Sequence, residues 1–308
     1  SGYAALKDCD ALLMLGTDLP YQQFYPENAT VIQVDVRGSQ IGRRTPVDIG
    51  LVGTVADTVE ALLPKITPNR SSSHLKALTK HYAKTRKDLD ELATPSKRTI
   101  HPQYLTRLID EMADDDAVFV PDVGSPVVWA SRYLTMNGKR RLIGSFSHGS
   151  MANALSQSVG VQSAFEDRQT IALAGDGGLA MLLGELITLT QNKLPVKTVV
   201  YNNSSLNFVE LEMKAAGFVT FGTDLANPDF STIAEAVGIK GFRVEKSKDL
   251  PKVVREFLAY DGPAVLDVVT ERQELSMPPS ITVEQAKGFA LYAIRTVLSG
   301  KGDELIDL

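Results

Sequence analysis

The stretch IALAGDGGLAMLLGELITLTQNKLPVKTVVYNNSS, residues 171–205, contains two apolar runs that end in small polar residues. The first run breaks at Gly-Asp-Gly-Gly, a helical pattern follows, and the second run breaks at Asn-Asn-Ser-Ser. Strands separated by a helix are typical of a parallel sheet, in which the carboxyl ends of neighbouring strands lie at the same edge. The stretch therefore predicts that Asp176 and Asn203 converge at that edge.

The alternation of strand and helix extends in both directions from this stretch. Before it, CDALLMLG, ATVIQVDV, AVFVPDVG and RRLIGSF read as short strands, and GTVADTVEALLPKI reads as a helix. After it, GFRVEK and AVLDVVT continue the strands. Strands that alternate with helices predict an α/β fold in which helices cover both faces of a parallel sheet.

Changes in composition divide the chain into four segments. We predict that residues 1–66 form the second half of a nucleotide-binding type of domain. Residues 67–99 are predicted to be a polar linker that continues as a solvent-facing helix. Residues 100–275 predict the domain that contains the opening stretch. Residues 276–308 predict an extended, Pro-rich segment followed by an amphipathic helix. The chain begins as though within a helix, so we expect it to be the later part of a longer protein.

The composition is that of a soluble globular protein, with 44% hydrophobic and 22% charged residues among 308. A net charge of −5 argues against nucleic-acid binding, which needs a basic face. The single cysteine, Cys9, excludes an intrachain disulfide and fits a reducing compartment. We also expect neither a membrane-spanning helix nor a signal peptide.

The glycines of the opening stretch suit an anionic ligand. Gly175, Gly177 and Gly178 permit a phosphate to approach the backbone, and a helix that starts near Leu179 directs its positive end at that anion. Each break alone is more typical of a turn, because Gly, Asp and Asn dominate turns. The two breaks together, with strand, turn, helix and strand in order, favour a phosphate site over two turns.

The polar residues of the two breaks suit a metal ion beside that phosphate. Asn203 follows Asp176 after roughly 27 residues, so each ends its own strand. Mg²⁺ prefers octahedral oxygen ligands and commonly binds substrate phosphates as well. We predict a magnesium–diphosphate site whose metal ligands are Asp176, Asn203 and the backbone carbonyl of Ser205.

The sequence GDG followed at this distance by NN resembles the thiamine diphosphate fingerprint. The segments GSFSHGSMANALSQSVG, DVGSPVVWASRYL, NNSSLNFVELEMKAAGF and MPPSITVEQAKGFALYAIR resemble the pyruvate oxidase family, which includes the bacterial quinone-reducing pyruvate dehydrogenase. This resemblance covers essentially the whole chain but only the later half of such an enzyme. It implies a parallel-sheet thiamine-diphosphate-binding domain, preceded by part of a Rossmann-like FAD-binding domain.

The resemblance also implies which residues contact thiamine diphosphate. Met151 is implied to be the apolar wedge that bends the cofactor, and Phe208 is a candidate electron-transfer aromatic between two cofactors. From the residues alone, an apolar side chain in either place is more typical of simple packing. The other cofactor-binding residues implied for this domain are Gly149, Ser150, Asp176, Gly177, Gly178, Asn203, Ser204, Ser205, Leu206, Asn207 and Val209.

The first segment carries the features expected of a second cofactor site. Asp35 ends a strand, where an acid of a nucleotide-binding fold commonly binds a ribose hydroxyl, although GTDLPY is not a GxGxxG motif. The resemblance implies that Thr17 and Asp35 contact FAD.

The resemblance implies oxidative decarboxylation of pyruvate to acetate and CO₂, with electrons passing through FAD to a membrane quinone. The implied cofactors are thiamine diphosphate, Mg²⁺ and FAD. The implied partners are pyruvate, a quinone and a lipid surface, for a homotetrameric cytoplasmic protein that is peripheral on the inner face of the cell membrane. Two alternatives remain open: a carboligase similar to acetolactate synthase, and a non-catalytic cofactor-binding fragment.

Enzymes of this family carry an activating glutamate in an earlier domain, and no residue of this sequence matches it. We therefore expect residues 1–308 alone not to decarboxylate pyruvate at an enzymatic rate, since an acid–base group contributes about 10²–10⁴-fold.

The pattern of the C-terminal helix fits two roles, packing on protein and docking on a membrane. Apolar residues recur at helical spacing between Val283 and Leu298, with Lys287 and Arg295 among the remaining positions. Such a stripe usually packs on its own protein or on a neighbouring subunit, whereas the resemblance implies that it docks on a membrane. The apolar stripe comprises Ala286, Phe289, Ala290, Ala293, Ile294, Val297 and Leu298.

Overall fold

A computed structural model describes residues 2–67, 71–272, 274 and 283–299. The chain forms two compact units, Ser1–Asp88 and Leu89–Leu308. The boundary lies inside the segment for which the sequence predicts a linker and a helix. The predicted Pro-rich segment at 276–282 lies outside the described residues.

The first unit contains a parallel sheet in the order β1-β2-β3. Strands β1 and β2 were predicted, whereas β3 was not, because its run Ile-Gly-Leu-Val is only four residues long and contains a glycine; all four residues are exposed. Met14, Tyr25 and Val31 form the buried cluster of this unit. Its elements are α1 (Gly2–Lys7), β1 (Ala11–Leu15), β2 (Thr30–Asp35), β3 (Ile49–Val52) and α2 (Val55–Leu62). The long polar helix α3 (Ser73–Leu92) follows and has no buried residue, as its composition predicts.

The second unit contains a parallel six-stranded sheet in the order β5-β4-β6-β7-β9-β8. The predicted α/β class with parallel sheets is confirmed. The predicted strand RRLIGSF is reduced to two residues at the sheet edge. The strands are β4 (Val118–Pro121), β5 (Arg141–Leu142), β6 (Thr170–Gly175), β7 (Lys197–Asn202), β8 (Lys240–Val244) and β9 (Ala264–Val269).

Helices cover both faces of the six-stranded sheet. Ile171 and Leu173 of β6 belong to one buried cluster, while the alternate residues Ala172 and Ala174 belong to another. Because successive side chains of a strand point to opposite faces, an uninterrupted apolar strand needs cover on both sides. The helices of this unit are α4 (Pro102–Met112), α5 (Ser125–Tyr133), α6 (Asn153–Ala164), α7 (Asp176–Met181), α8 (Glu185–Asn192), α9 (Asn207–Ala215), α10 (Phe230–Ala236), α11 (Leu250–Ala259) and α12 (Val283–Leu298).

Helix α12 packs on α9 through a face that the sequence analysis did not select. Its buried residues are Gly288, Tyr292 and Thr296, spaced four apart. The backbones meet so closely that a Cβ on Gly288 would lie 1.8 Å from the carbonyl oxygen of Ala215. Much of the predicted apolar stripe is instead exposed, including Ile294, Val297 and Leu298. No helix among the described residues has the length and apolar character needed to cross a bilayer.

Candidate functional site

The pairing of β6 with β7 brings the two polar breaks together, as predicted. The strands are parallel and in register, with Gly175 opposite Tyr201. Helix α7 begins at Asp176, three positions before the start predicted near Leu179. Gly177 and Gly178 therefore lie in the first turn of this helix rather than in a loop before it.

The carboxylate of Asp176 connects the two strand ends. Its Oδ2 accepts hydrogen bonds from the backbone N–H groups of Asn203 at 3.1 Å and Ser204 at 2.7 Å, and from Nδ2 of Asn227 at 2.8 Å. Its Oδ1 accepts one from the N–H of Gly177 at 2.8 Å. Burial raises the pKa of Asp176, and these hydrogen bonds oppose that rise. The carboxylate is thus held rigidly at the junction of β6 and β7.

The oxygen donors at this junction fit a hard divalent cation. Oδ1 of Asp176 accepts a single hydrogen bond among the described residues, so it retains capacity for a metal. Oδ1 of Asn203 accepts the N–H of Ser205 at 3.1 Å, which forms a local turn in the loop after β7. No three His, Cys, Asp or Glu side chains cluster as metal ligands in the described part of the chain. The set of one carboxylate, one amide and one carbonyl suits Mg²⁺ when phosphate oxygens complete its coordination. The assignment of these ligands stays a prediction.

Helix α9 holds the loop that contains Ser205. The hydroxyl of Ser205 donates to Glu210 at 2.6 Å, and Glu210 forms a buried ion pair with Lys214 at 2.9 Å. Burial favours the neutral acid, but the hydrogen bonds from Lys214 and Ser205 and the charge of Arg272 lower the pKa of Glu210 overall. Lys214 also lies over the ring of Tyr292, so α12 contributes to the same buried cluster.

A cavity of about 190 Å³ opens beside this junction. Met151 and Phe208 line it and are each 39% exposed, so neither is the simple core residue that packing alone would suggest. Gly149 and Ser150 precede Met151 in a loop and are not among the lining residues. Ser204 is not among the lining residues either. The other lining residues that the sequence analysis selected are Gly175, Asp176, Gly177, Gly178, Asn203, Ser205, Leu206, Asn207 and Val209.

The turn after β4 also lines the cavity, although the sequence analysis used it only for family resemblance. Val123, Gly124 and Ser125 occupy this turn, and α5 begins at Ser125. β4 is hydrogen-bonded to β6, so its carboxyl end lies beside Asp176. The signal was present in PDVGSP, a strand followed by glycine and a helix start, the same arrangement that identified GDGG. Trp129 of α5, the single tryptophan of the chain, lines the cavity as well.

A second buried carboxylate, Asp122, ties three elements together. Its oxygens accept the N–H of Ala154 at 2.9 Å, at the start of α6, and the N–H of Gly175 at 3.2 Å, at the end of β6. A Cβ on Gly178 would lie 2.2 Å from Oδ2 of Asp122. The close approach of Asp122 is therefore a reason for glycine at position 178, apart from any need to admit a phosphate. Burial raises the pKa of Asp122 to about 6.

The residues implied to contact FAD lie in the first unit, at the carboxyl ends of neighbouring strands. Asp35 ends β2 and is largely buried, and its Oδ1 accepts the N–H of Arg37 at 2.8 Å. Thr17 follows β1 and is exposed. The parallel pairing of β1 with β2 places both at one edge of the sheet. Their contact with a flavin stays a prediction.

Comparison with known proteins identifies two family domains in this chain. Residues 122–268 match the C-terminal TPP binding domain of thiamine pyrophosphate enzymes, and residues 1–62 match their central domain. The Bacillus subtilis protein YdaP, provisionally named a thiamine pyrophosphate-containing protein, is 34% identical over 99% of this chain and 53% of its own length.

Two named enzymes are more distant relatives. The pyruvate oxidase of Lactiplantibacillus plantarum is 27% identical over 86% of this chain and 45% of its own length. An acetolactate synthase large subunit of Porphyra purpurea is 28% identical over 87% of this chain and 47% of its own length. The chain thus spans about half the length of the relatives it matches.

We expect Asp122→Asn to change how stability depends on pH. The pKa of Asp122 is raised from 3.8 to about 6 in the folded chain, so folding favours the protonated acid. The stability that this proton contributes is complete below about pH 4 and is lost as the pH rises through about 6. Asparagine does not titrate, so the free energy of unfolding of the wild type, relative to the variant, should fall by up to about 3 kcal/mol between pH 4 and 7.5.

Urea unfolding at several pH values measures this difference. Asp167→Asn, at an exposed position, is the matched control and should track the wild type. Parallel stability profiles for the wild type and Asp122→Asn would contradict the expectation.

Proposed function

Since the chain belongs to the thiamine pyrophosphate enzyme family, we propose that it forms part of a flavoenzyme that decarboxylates pyruvate oxidatively. The observation that carries the cofactor assignment is the carboxylate of Asp176, which joins the ends of β6 and β7 beside a cavity. The choice of pyruvate is supported by the pyruvate oxidase relative and by the sequence resemblance. The balanced reaction is pyruvate and water to acetate and CO₂, with release of two electrons and two protons.

In this proposal the chain's residues hold and shape the cofactor. Thiamine diphosphate supplies the nucleophilic carbon and the electron sink for decarboxylation of a 2-keto acid. Asp176, Asn203 and the carbonyl of Ser205 hold the Mg²⁺ that neutralises the diphosphate. The backbone at Gly177 and Gly178 contacts the diphosphate, and Met151 supports the thiamine from the cavity wall. Met151, Leu206 and Phe208 contribute apolar side chains to the cavity wall around the thiamine.

The electrons of the reaction require an acceptor, for which we propose FAD bound at the first unit. Thr17 and Asp35 lie at the carboxyl edge of a parallel sheet, where nucleotide ribose groups bind in related folds. Phe208, a partly exposed aromatic of the cavity wall, is the proposed aromatic on the electron path. A membrane quinone is the proposed final acceptor.

A second candidate is a carboligase of the acetolactate synthase type. The acetolactate synthase relative matches a share of this chain similar to that of the pyruvate oxidase, at similar identity. Both reactions need the same thiamine diphosphate site and differ in what happens after CO₂ departs. The oxidase reaction delivers electrons to an acceptor, whereas the carboligase reaction joins the two-carbon group left after decarboxylation to a second keto acid.

The first prediction for this function concerns the metal site. Asp176→Ala should abolish Mg²⁺-dependent binding of thiamine diphosphate, because both strand ends lose their shared acceptor and the cation loses its only carboxylate among the proposed ligands. Quenching of the single tryptophan, Trp129, reports binding, since this residue lines the cavity.

Asp167→Ala is the matched control at an exposed aspartate and should bind as the wild type does. The thermal midpoint of each metal-free chain shows whether the fold survives. Unchanged cofactor affinity in a folded Asp176→Ala chain would remove the basis of the assignment.

The second prediction separates the two reactions in the complete enzyme. With pyruvate and a soluble quinone analogue, we expect acetate and reduced quinone in equal amounts, because each turnover releases one pair of electrons. Product analysis by NMR together with quinone absorbance measures both. Accumulation of acetolactate without quinone reduction would favour the carboligase instead.

We propose that helix α12 docks the enzyme on a lipid surface. In this proposal the enzyme is a cytoplasmic homotetramer that binds at the inner face of the cell membrane. Gly288, Tyr292 and Thr296 pack the helix on α9. This packing leaves the apolar residues Val297 and Leu298 exposed at 58% and 80%. An exposed apolar face flanked by Lys and Arg is typical of helices that lie in a membrane interface.

The corresponding prediction is that the complete enzyme co-sediments with anionic vesicles in the presence of pyruvate, and that deleting residues 278–308 abolishes this. Val297→Ser with Leu298→Ser should weaken binding without disturbing the packed face. Leu75→Ser, at an exposed leucine of α3, is the control and should leave binding unchanged. Equal sedimentation of the full-length and truncated forms would leave α12 with a structural role alone.

A further inference from the structure

Four side chains form a continuous hydrogen-bonded row that starts at the proposed metal ligand. Nδ2 of Asn227 donates to Oδ2 of Asp176 at 2.8 Å and to Oδ1 of Asn202 at 2.9 Å. Nδ2 of Asn202 in turn donates to Oδ1 of Asp267 at 2.9 Å. Asn227 thus connects Asp176 to the interior of the sheet, although neither motif of the opening stretch contains it.

Each member of this row is fixed by its own element. Asn202 is the last residue of β7 and is 4% exposed, and Asp267 in the adjacent strand β9 is fully buried. Asn227 lies in the loop between α9 and α10. In the same loop, the N–H of Leu225 donates to the carbonyl oxygen of Ser204, in the loop after β7, at 3.0 Å. Oδ2 of Asp267 accepts further bonds from the N–H of Phe230 and from Arg243.

The charges at the two ends determine which way each amide points. A carboxylate only accepts hydrogen bonds, so Asn202 must turn its NH₂ group to Asp267 and its oxygen to Asn227. Asn227 must then present its NH₂ group to both Asn202 and Asp176. This is the one arrangement of the two amides in which each of the three contacts has a donor and an acceptor.

We infer that Asn227 is a positioning residue for Asp176, which it holds so that Oδ2 is occupied and Oδ1 faces the cation. With Asn227 in place, Oδ2 accepts three hydrogen bonds and Oδ1 accepts one. Loss of the amide removes the side-chain bond to Oδ2 and leaves the backbone N–H groups of Gly177, Asn203 and Ser204, so the orientation of the carboxylate is less narrowly fixed. The inference rests on the proposed function, because it assumes that Asp176 binds Mg²⁺.

The test is a Mg²⁺ titration of the 308-residue chain at saturating thiamine diphosphate, followed by Trp129 fluorescence. Asn227→Ala should raise the Mg²⁺ concentration at half-saturation by about 10–100-fold, as is usual for outer partners of metal ligands. Excess Mg²⁺ should restore the full fluorescence change, since the ligands themselves remain.

Asn192→Ala is the matched control, because the exposed Asn192 amide donates to the Thr188 carbonyl of its own helix, α8, at 2.9 Å. Thermal midpoints without metal show whether each chain is folded at the temperature of the titration, which separates metal binding from folding. That of Asn227→Ala should be lower, because the buried Oδ1 of Asn202 loses its donor. If Asn227→Ala does not fold, Asn227→Ser provides the same test, because its hydroxyl is too short to reach Asp176.

Two outcomes overturn the inference in different ways. If a folded Asn227 variant reaches half-saturation at the same Mg²⁺ concentration as the wild type, the positioning role is overturned and the proposed function remains intact. No Mg²⁺-dependent response in the wild type would overturn the proposed function and this inference with it.

Discussion

The hydrogen bonds between the Asp176 carboxylate and the N–H groups of Asn203 and Ser204 join the ends of two parallel strands. The pairing of β6 with β7 brings the two turns close together, and these bonds hold the loop that follows β7 against the turn that follows β6. The cavity, the exposed Phe208 and the carbonyl of Ser205 all belong to that loop or adjoin it. A single buried acid therefore organises both the backbone and the proposed metal site.

Asp122 and Asp267 occupy comparable buried positions in the same unit. Burying a carboxylate is costly unless hydrogen bonds compensate, and both acids accept bonds from backbone N–H groups. Asp122 joins β6 to the start of α6, and Asp267 joins β9 to the start of α10. The polar interior in this part of the sheet costs stability through desolvation, and it fixes the turns beside the proposed diphosphate and metal site.

The packing of α12 reconciles the two readings of the C-terminal helix. Its narrow seam of Gly288, Tyr292 and Thr296 contacts α9, and Lys214 lies over Tyr292 within that contact. The broader apolar stripe points elsewhere and is largely exposed. Because the two faces are distinct, contact with α9 and the proposed contact with lipid do not exclude each other. The seam also links α12 through Lys214 and Glu210 to Ser205.

The sequence by itself determined the parallel α/β class and the meeting of Asp176 with Asn203, because strand–helix alternation and strand-terminal polar residues are local signals. It did not identify β3, which is a run of only four residues that contains a glycine. Nor did it identify the packed face of α12, where the helices approach closely at Gly288 and the buried residues do not follow the apolar stripe. Only the tertiary structure revealed the roles of Asp122 and Asn227. Each is an ordinary turn residue locally, and its role arises from hydrogen bonds to residues 32 and 51 positions away.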